Sequence, residues 1–217
     1  MKKNRVVWTT KSECGPNRKI NEDSINPNNS GSSFLPFKAA ICDGLGGHVN
    51  GDVASRIATS IIDQKLENIK DEIIEANKAI LEHQAKNPDS KGMGTTMTSI
   101  SIDKNRLLNV AHVGDTRCYV FSERQLIKLT EDQNVPGYQN VLKQALGSND
   151  KLKIQIIDFQ LQQGDVILLC TDGLYNEISD EYLKKKISDG TSAESLVGEV
   201  LLLNPKDNVS AIVINLV

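Results

Sequence analysis

At 217 residues the chain is long enough to bury one sizeable core. Its formal net charge of −3 and pI of about 5.7 exclude a global basic field of the kind that holds nucleic acid or anionic lipid. The basic run Lys184-Lys185-Lys186 reads as a solvated helix face.

In chain order, Arg5 to Thr10 is a short β-type run. Val6-Val7-Trp8 is too short an apolar stretch for a secretory leader, and no run reaches the length of a membrane span. A polar segment rich in Asn, Ser and Gly occupies Lys11 to Ser33. Lys38 to Cys42 is an apolar run that stops at Asp43-Gly44-Leu45-Gly46-Gly47, the pattern of a buried strand ending in a tight loop. Two helices follow. Val53, Ala54, Ile57, Ala58, Ile61 and Ile62 form one apolar face, and Ile73, Ile74, Asn77, Ile80 and Leu81 form another, closed by Asn87-Pro88-Asp89.

The period then changes. Strands are predicted over Thr95 to Ile102, Leu107 to Val113 and Cys118 to Phe121. A short helix is predicted at Asn140 to Leu146, and further strands at Lys153 to Phe159 and Asp165 to Cys170. Helices at Glu181 to Ile187 and Ala193 to Leu203 lead to a last strand, Asn208 to Val217. Blocks of strands separated by helix pairs predict an α+β layered fold with an antiparallel sheet core, because parallel sheets need βαβ alternation. No internal repeat or linker divides the chain.

Cys14, Cys42, Cys118 and Cys170 form no C-x-x-C pair, and Cys42 and Cys170 end apolar runs. They read as reduced thiols of a cytoplasmic protein. Cys14-Gly15-Pro16-Asn17-Arg18 has a Cys and an Arg but too few residues between them, and no glycine-rich cradle, for a thiolate anion-binding loop.

Carboxylates recur where strands stop: Glu22-Asp23, Asp43-Gly44, Asp172-Gly173 and Asp207-Asn208, with Asp115 in a strand turn as a fifth candidate. A single Asp-Gly is an ordinary turn pair. Several carboxylates at the mouths of buried strands instead suit hard, oxygen-seeking cations such as magnesium or manganese, although spacing alone names no reaction.

Eight segments carry a resemblance: Arg18-x-x-Asn21-Glu22-Asp23, Asp43-Gly44-x-Gly46-Gly47-His48, Gly92-Met93-Gly94-Thr95-Thr96, Ala111-His112-Val113-Gly114-Asp115-x-Arg117, Leu129-Thr130-x-Asp132, Ala145-Leu146-Gly147, Thr171-Asp172-Gly173-Leu174 and Asp207-Asn208-x-Ser210. Each is weak alone, but in this order they make the chain similar to the metal-dependent, type 2C protein phosphatases in their bacterial form.

The resemblance implies a four-layer α-β-β-α sandwich, two antiparallel sheets flanked by helix pairs, as one catalytic domain over residues 1–217. It implies hydrolysis of phosphoserine and phosphothreonine by a hydroxide bridging two Mg²⁺ or Mn²⁺ ions, opposing a serine/threonine kinase. Asp43 would bridge the ions. Asp172 and Asp207 would complete one, and the Gly44 carbonyl and Glu22 would serve the other with Asp23 nearby. Arg18 would hold the substrate phosphate. Gly44, Gly46 and Gly47 would let the backbone approach the ions. Phosphorylated protein is the expected partner, with no nucleic acid and no membrane, and the expected state is a monomer.

Two departures from the family pattern stand out. Only Gln133 to Gln139 lies between Asp132 and Asn140, a shortened flap near 132–140 that predicts an open, weakly selective site. Asn176 stands where many relatives carry an acid that helps Asp115 hold a third cation, so a third divalent ion is expected to bind only weakly. The position after Asp43-Gly44 is Leu45, so no histidine is assigned as an acid. His48 belongs to the Asp-Gly loop, His83 reads as solvated and His112 as structural. Thr95 and Thr96 read as strand residues without catalytic duty. Two alternatives stay open at this point: a pseudophosphatase acting as a regulatory binding module, and a hydrolase of non-protein phosphoesters.

Overall fold

The structure, a computed structural model, describes residues 4–46, 50–62, 68–148 and 151–217, the side chains of 139 and 140 excepted. His48 and Gly47 therefore lie outside the described residues. The chain opens with β1 (Arg5–Glu13), β2 (Asp23–Asn26), β3 (Gly31–Phe34) and β4 (Phe37–Asp43), followed by α1 (Gly51–Ser60) and α2 (Ile69–Lys86). After a 3₁₀ turn at Pro88–Ser90 come β5 (Met97–Ile102), β6 (Leu107–Val113), β7 (Arg117–Ser122) and β8 (Gln125–Lys128). Next are β9 (Asn134–Val135), β10 (Tyr138–Leu142), β11 (Gln155–Gln160) and β12 (Val166–Cys170). Helices α3 (Asp172–Tyr175), α4 (Asp180–Ser188) and α5 (Ala193–Leu201) precede the last strand, β13 (Val209–Leu216).

The strands form two antiparallel sheets. One runs β3-β1-β13-β12-β7-β8 and the other β11-β6-β5-β4-β2, while β9 and β10 make a separate two-stranded ribbon. Strand periodicity explains the layering, because successive side chains point to opposite faces. On β13, Ile212, Ile214 and Leu216 enter the core between the sheets, whereas Val209, Ala211 and Val213 face α4 and α5. On β4, Phe37, Ala39 and Ile41 point inward to the shared core, and Ala40 and Cys42 point out against α1 and α2. The predicted α-β-β-α sandwich is therefore the observed one. In β12, paired on both sides, all five residues are buried, which accounts for its unbroken apolar sequence.

The helices start and stop where local chemistry directs. The Asn68 side chain caps α2 by accepting from the Lys70 N–H, and Asn87-Pro88 ends that helix. Ser179 and Ser192 cap α4 and α5 in the same way. One polar contact underlies α2: the fully buried Glu72 accepts from Lys38 Nζ at 2.7 Å and from Ser99 Oγ at 2.8 Å.

Some elements differ from the expectation. The polar segment 11–33 contains β2 and β3, which are held by pairing to β4 and β1 and not by an alternating pattern of their own. The helix predicted at Asn140 to Leu146 is the end of the β9–β10 ribbon followed by an extended stretch. Leu142 pairs with Asn134, and Leu146 exchanges backbone hydrogen bonds with Thr95. Its i, i+4 apolar spacing arises because Leu142 and Leu146 serve different walls: Leu142 lines an open cavity and Leu146 fills the core beneath α1 and α2.

Candidate metal centre

Antiparallel register brings distant carboxylates to one end of the sandwich. Asp23 opens β2 directly opposite Asp43, which closes β4. Cys170, the last residue of β12, pairs with Arg117 on one side and Ala211 on the other, so Asp172, Asp115 and Asp207 emerge together from three adjacent strands. A cavity of about 650 Å³ opens there, lined by Arg18, Asp43, Gly44, Asp115, Asp172 and Asp207. Six of the eight predicted site residues thus share one wall.

Glu22 and Asp23 sit differently. Glu22 lies behind Arg18, with Oε2 3.7 Å from its guanidinium, and its N–H donates to the Asn208 carboxamide at 2.9 Å. Asp23 turns its Oδ2 to Ser210 Oγ (2.6 Å) and Thr171 Oγ1 (2.9 Å) and borders a second cavity with Ser12, Arg56 and Thr59.

Burial and mutual repulsion dominate the electrostatics. Desolvation first, then the neighbouring Asp23, Asp172, Asp115 and Asp207, push the Asp43 carboxyl well above the usual range. Burial followed by Asp207 and Asp115 raises Asp172 to about 7. Burial also raises Asp23 to about 7, against the hydrogen bonds from Ser210 and Thr171, and it raises Asp115. Asp172 Oδ1 and Asp23 Oδ1 are buried with no hydrogen-bond partner among the described residues.

Orphaned anionic oxygens are costly, and hard oxygen donors without sulfur or nitrogen are the ligand set of magnesium and manganese. The donor chemistry fits such ions. The side chains nevertheless stand apart: among the described residues, no three His, Cys, Asp or Glu groups are close enough to enclose one ion.

Arg18 lies over these acids. Its Nη2 donates to Asp207 Oδ2 at 2.6 Å and its Nε to the Lys206 carbonyl at 3.3 Å. The loop glycines have a reason the sequence did not show. A Cβ on Gly44 would collide with the Gly51 backbone and stand 2.8 Å from the Glu22 carbonyl. One on Gly46 would stand 2.9 Å from the Arg18 guanidinium. These glycines let protein pack on protein around the acids.

Several supporting residues escaped assignment from sequence. Thr95 and Thr96, read as plain strand residues, fix Asp43. The Thr95 hydroxyl and the Thr96 N–H donate to the Asp43 carbonyl at 2.8 Å each, and the Asp43 N–H donates to Thr96 Oγ1 at 2.9 Å. Asn208 ties three segments together: its Oδ1 serves Glu22, its Nδ2 donates to the Ile20 carbonyl, and its N–H donates to Asp207 Oδ1. All three residues lie inside the quoted motifs, which were the available signal. Glu177, Lys206 and Leu142 also line the cavity and carried no such signal. His112 is structural, as expected: it is buried between Thr98 Oγ1 (2.8 Å) and the Glu131 carbonyl (3.2 Å), and burial lowers its pKa to about 4.

Two stacked antiparallel sheets with a carboxylate-lined cavity at their strand ends match one known architecture. A family model described as protein phosphatase 2C matches residues 16–201. The chain belongs to the protein phosphatase 2C family, in its bacterial form, as its motifs indicated. It is 28% identical over 208 residues to the serine/threonine phosphatase stp of Listeria welshimeri, a match covering 80% of this chain and 82% of that protein. It is also 28% identical over 239 residues to the serine/threonine protein phosphatase PstP of Mycobacterium tuberculosis, covering 97% of this chain but 45% of PstP. The crystal structure of the M. tuberculosis phosphatase PstP/Ppp superposes with a TM-score of 0.85 at 26% identity, covering 98% of this chain and 99% of that one. The PstP catalytic domain in complex with two manganese ions gives 0.84 at 28% identity, with 99% of both chains covered.

Proposed function

We propose that this chain hydrolyses phosphoserine and phosphothreonine in proteins with two divalent cations held at the strand-end cavity. The observation that carries the reading is the convergence of Asp43, Asp172 and Asp207 on one open cavity beside Arg18, with Asp172 Oδ1 buried and without a partner among the described residues. The relatives' names and the two-manganese complex support it. Asp43 would bridge the ions, Asp172 and Asp207 would serve one, and the Gly44 carbonyl and Glu22 the other, with Asp23 acting from behind. Such a pair of cations supplies charge that acidifies water and neutralises phosphoryl oxygens.

The chain's own groups do the rest. Thr95 and Thr96 lock the Asp43 backbone, so its carboxylate stays aimed at the cavity. Arg18 presents a planar fork suited to two phosphoryl oxygens. In the structure that fork is engaged by Asp207, so phosphate binding requires it to pivot on its anchor at the Lys206 carbonyl. Asp115 would hold a third, weaker cation with Asp172. The Asn176 amide approaches Asp172 Oδ2 at 3.4 Å, offering a neutral group where a carboxylate would bind more strongly.

Only a two-stranded ribbon lies between Asp132 and Leu142, and we read it as a shortened flap that leaves the entrance open. We place the protein in the cytoplasm as a monomer opposing a serine/threonine kinase. Its four cysteines are free thiols, three of them buried, and no helix among the described residues is long and apolar enough to cross a membrane.

The deciding experiment measures manganese-dependent release of phosphate from a phosphothreonine peptide and from p-nitrophenyl phosphate. Turnover of the peptide with higher kcat/KM supports the proposal. Turnover of small phosphoesters alone would favour a non-protein substrate, and none with either under saturating manganese would make the chain a binding module.

A further inference from the structure

We propose that Asn134 and Tyr175 are positioning residues that hold Asp115 at the cation-binding face, the first by its carboxylate and the second by its backbone. The inference rests on the reading of Asp115 as a ligand for the weakest-bound cation. Asp115 lies in the turn between β6 and β7, an intrinsically adjustable element, yet it is gripped from two sides. Asn134 Nδ2 donates to Asp115 Oδ2 at 3.0 Å, and Tyr175 Oη donates to the Asp115 carbonyl at 3.1 Å.

Both holders are tied to the rest of the site. Tyr175 ends α3, the single helical turn that begins with Asp172, so its phenol joins the elements carrying two of the acids. Its ring is pinned in turn: the Arg117 guanidinium carbon lies 3.4 Å from the ring centroid. Arg117 is fixed by Asp132, which accepts from Nη2 at 2.6 Å and from Nε at 3.0 and 3.2 Å, and by Tyr119. A guanidinium over a phenol face adds attraction to this clamp. Asn134 begins β9, the first strand of the ribbon whose Leu142 lines the cavity. The neighbouring Gln133 stitches that segment to the same turn, exchanging hydrogen bonds with the Gly114 backbone.

Asp115 is therefore braced against the helix of Asp172 and the ribbon at the cavity mouth. A carboxylate already oriented loses less freedom when it takes a cation, so the clamp raises affinity without supplying a ligand. The same contacts link the ribbon, which borders the substrate entrance, to occupancy of this cation.

The test is manganese binding to the whole chain, followed by the electron paramagnetic resonance signal of free Mn²⁺, with metal-free melting temperature read in parallel. Asp115→Ala should remove the weakest binding step. Tyr175→Phe, which keeps the ring beneath Arg117, and Asn134→Ala should each weaken that step about fivefold, the scale of one net hydrogen bond, and leave the tighter steps unchanged. In the Asp115→Ala background, Tyr175→Phe should have no effect on binding. If Asp115→Ala loses a step while both other variants bind as wild type does, the inference is overturned and the proposed function stands, even if their melting temperatures fall. If Asp115→Ala itself binds as wild type does, the cation role of Asp115 fails and the inference fails with it.

Discussion

Two buried regions of this molecule each enclose carboxylates, and they are built on opposite terms. Beneath α2, Glu72 has no exposed surface and receives Lys38 Nζ on Oε1 at 2.7 Å and Ser99 Oγ on Oε2 at 2.8 Å. At the strand ends, Asp23 and Asp172 each keep a buried oxygen with no donor among the described residues, and burial plus neighbouring acids raise both to about 7. The first arrangement is satisfied within the protein and reads as structure. The second leaves charged oxygens without donors among the described residues, the condition under which a proton or the proposed cation is favoured.

The largest effect that separates the two regions is on turnover. Asp43→Asn should lower kcat by at least about 10²-fold, the scale of losing one preorganised electrostatic contact, and commonly more where the group bridges two ions. The metal-free fold should survive or gain stability, because a neutral amide replaces a crowded acid. Steady-state kinetics under saturating manganese check it, and a near-normal rate would remove Asp43 from the centre.

The converse substitution acts on the other region. Lys38→Met should remove the 2.7 Å ion pair to buried Glu72 and cost about 3 kcal/mol of unfolding free energy, within the usual range for breaking a buried pair. Manganese affinity and kcat of the folded fraction should not change. Urea denaturation beside a manganese titration separates the two readouts.

The remaining effect is a pH dependence of stability. Asp23 and Asp172 are ordinary acids near 3.8 when unfolded but titrate near 7 in the fold. Between those values the folded state binds more protons than the unfolded one, so stability is fullest below about 4 and declines as pH rises through about 7. The metal-free melting temperature should therefore fall from about pH 5 to about pH 8 through these groups, and Asp172→Asn should flatten the slope. A slope the variant leaves unchanged would show that Asp172 is not desolvated in solution.

Much of the fold was legible because it depends on burial, which leaves a periodic record. The all-apolar run Val166 to Cys170 announced a central strand, and the helical faces of α1 and α2 were visible in their isoleucine and alanine spacing. Edge elements left no such record. β3, Gly-Ser-Ser-Phe, and β8, Gln-Leu-Ile-Lys, are mostly polar or exposed, and they are strands because β1 and β7 offer them partners. The stretch 140–146 reads as helix in sequence because apolar residues four apart fit a helix as well as an extended segment that touches two surfaces.

The sequence by itself marked the candidate residues for the proposed chemistry. Asp43, Asp172 and Asp207 flank buried strands, and that juxtaposition of acid with apolar run is a local fact. Tertiary structure alone decided how they meet. Register sets Asp23 opposite Asp43 and pairs Cys170 with both Arg117 and Ala211, across separations no local pattern encodes. It likewise directed Asp23 toward Ser210 and Thr171, gave Arg18 to Asp207, and recruited Thr95, Asn208 and Tyr175 as supports. Hydrogen bonds between residues far apart in sequence form only once both sheets are stacked. The chain therefore names its acids locally, while their orientation and most of their perturbed protonation follow from burial at the strand ends of the sandwich.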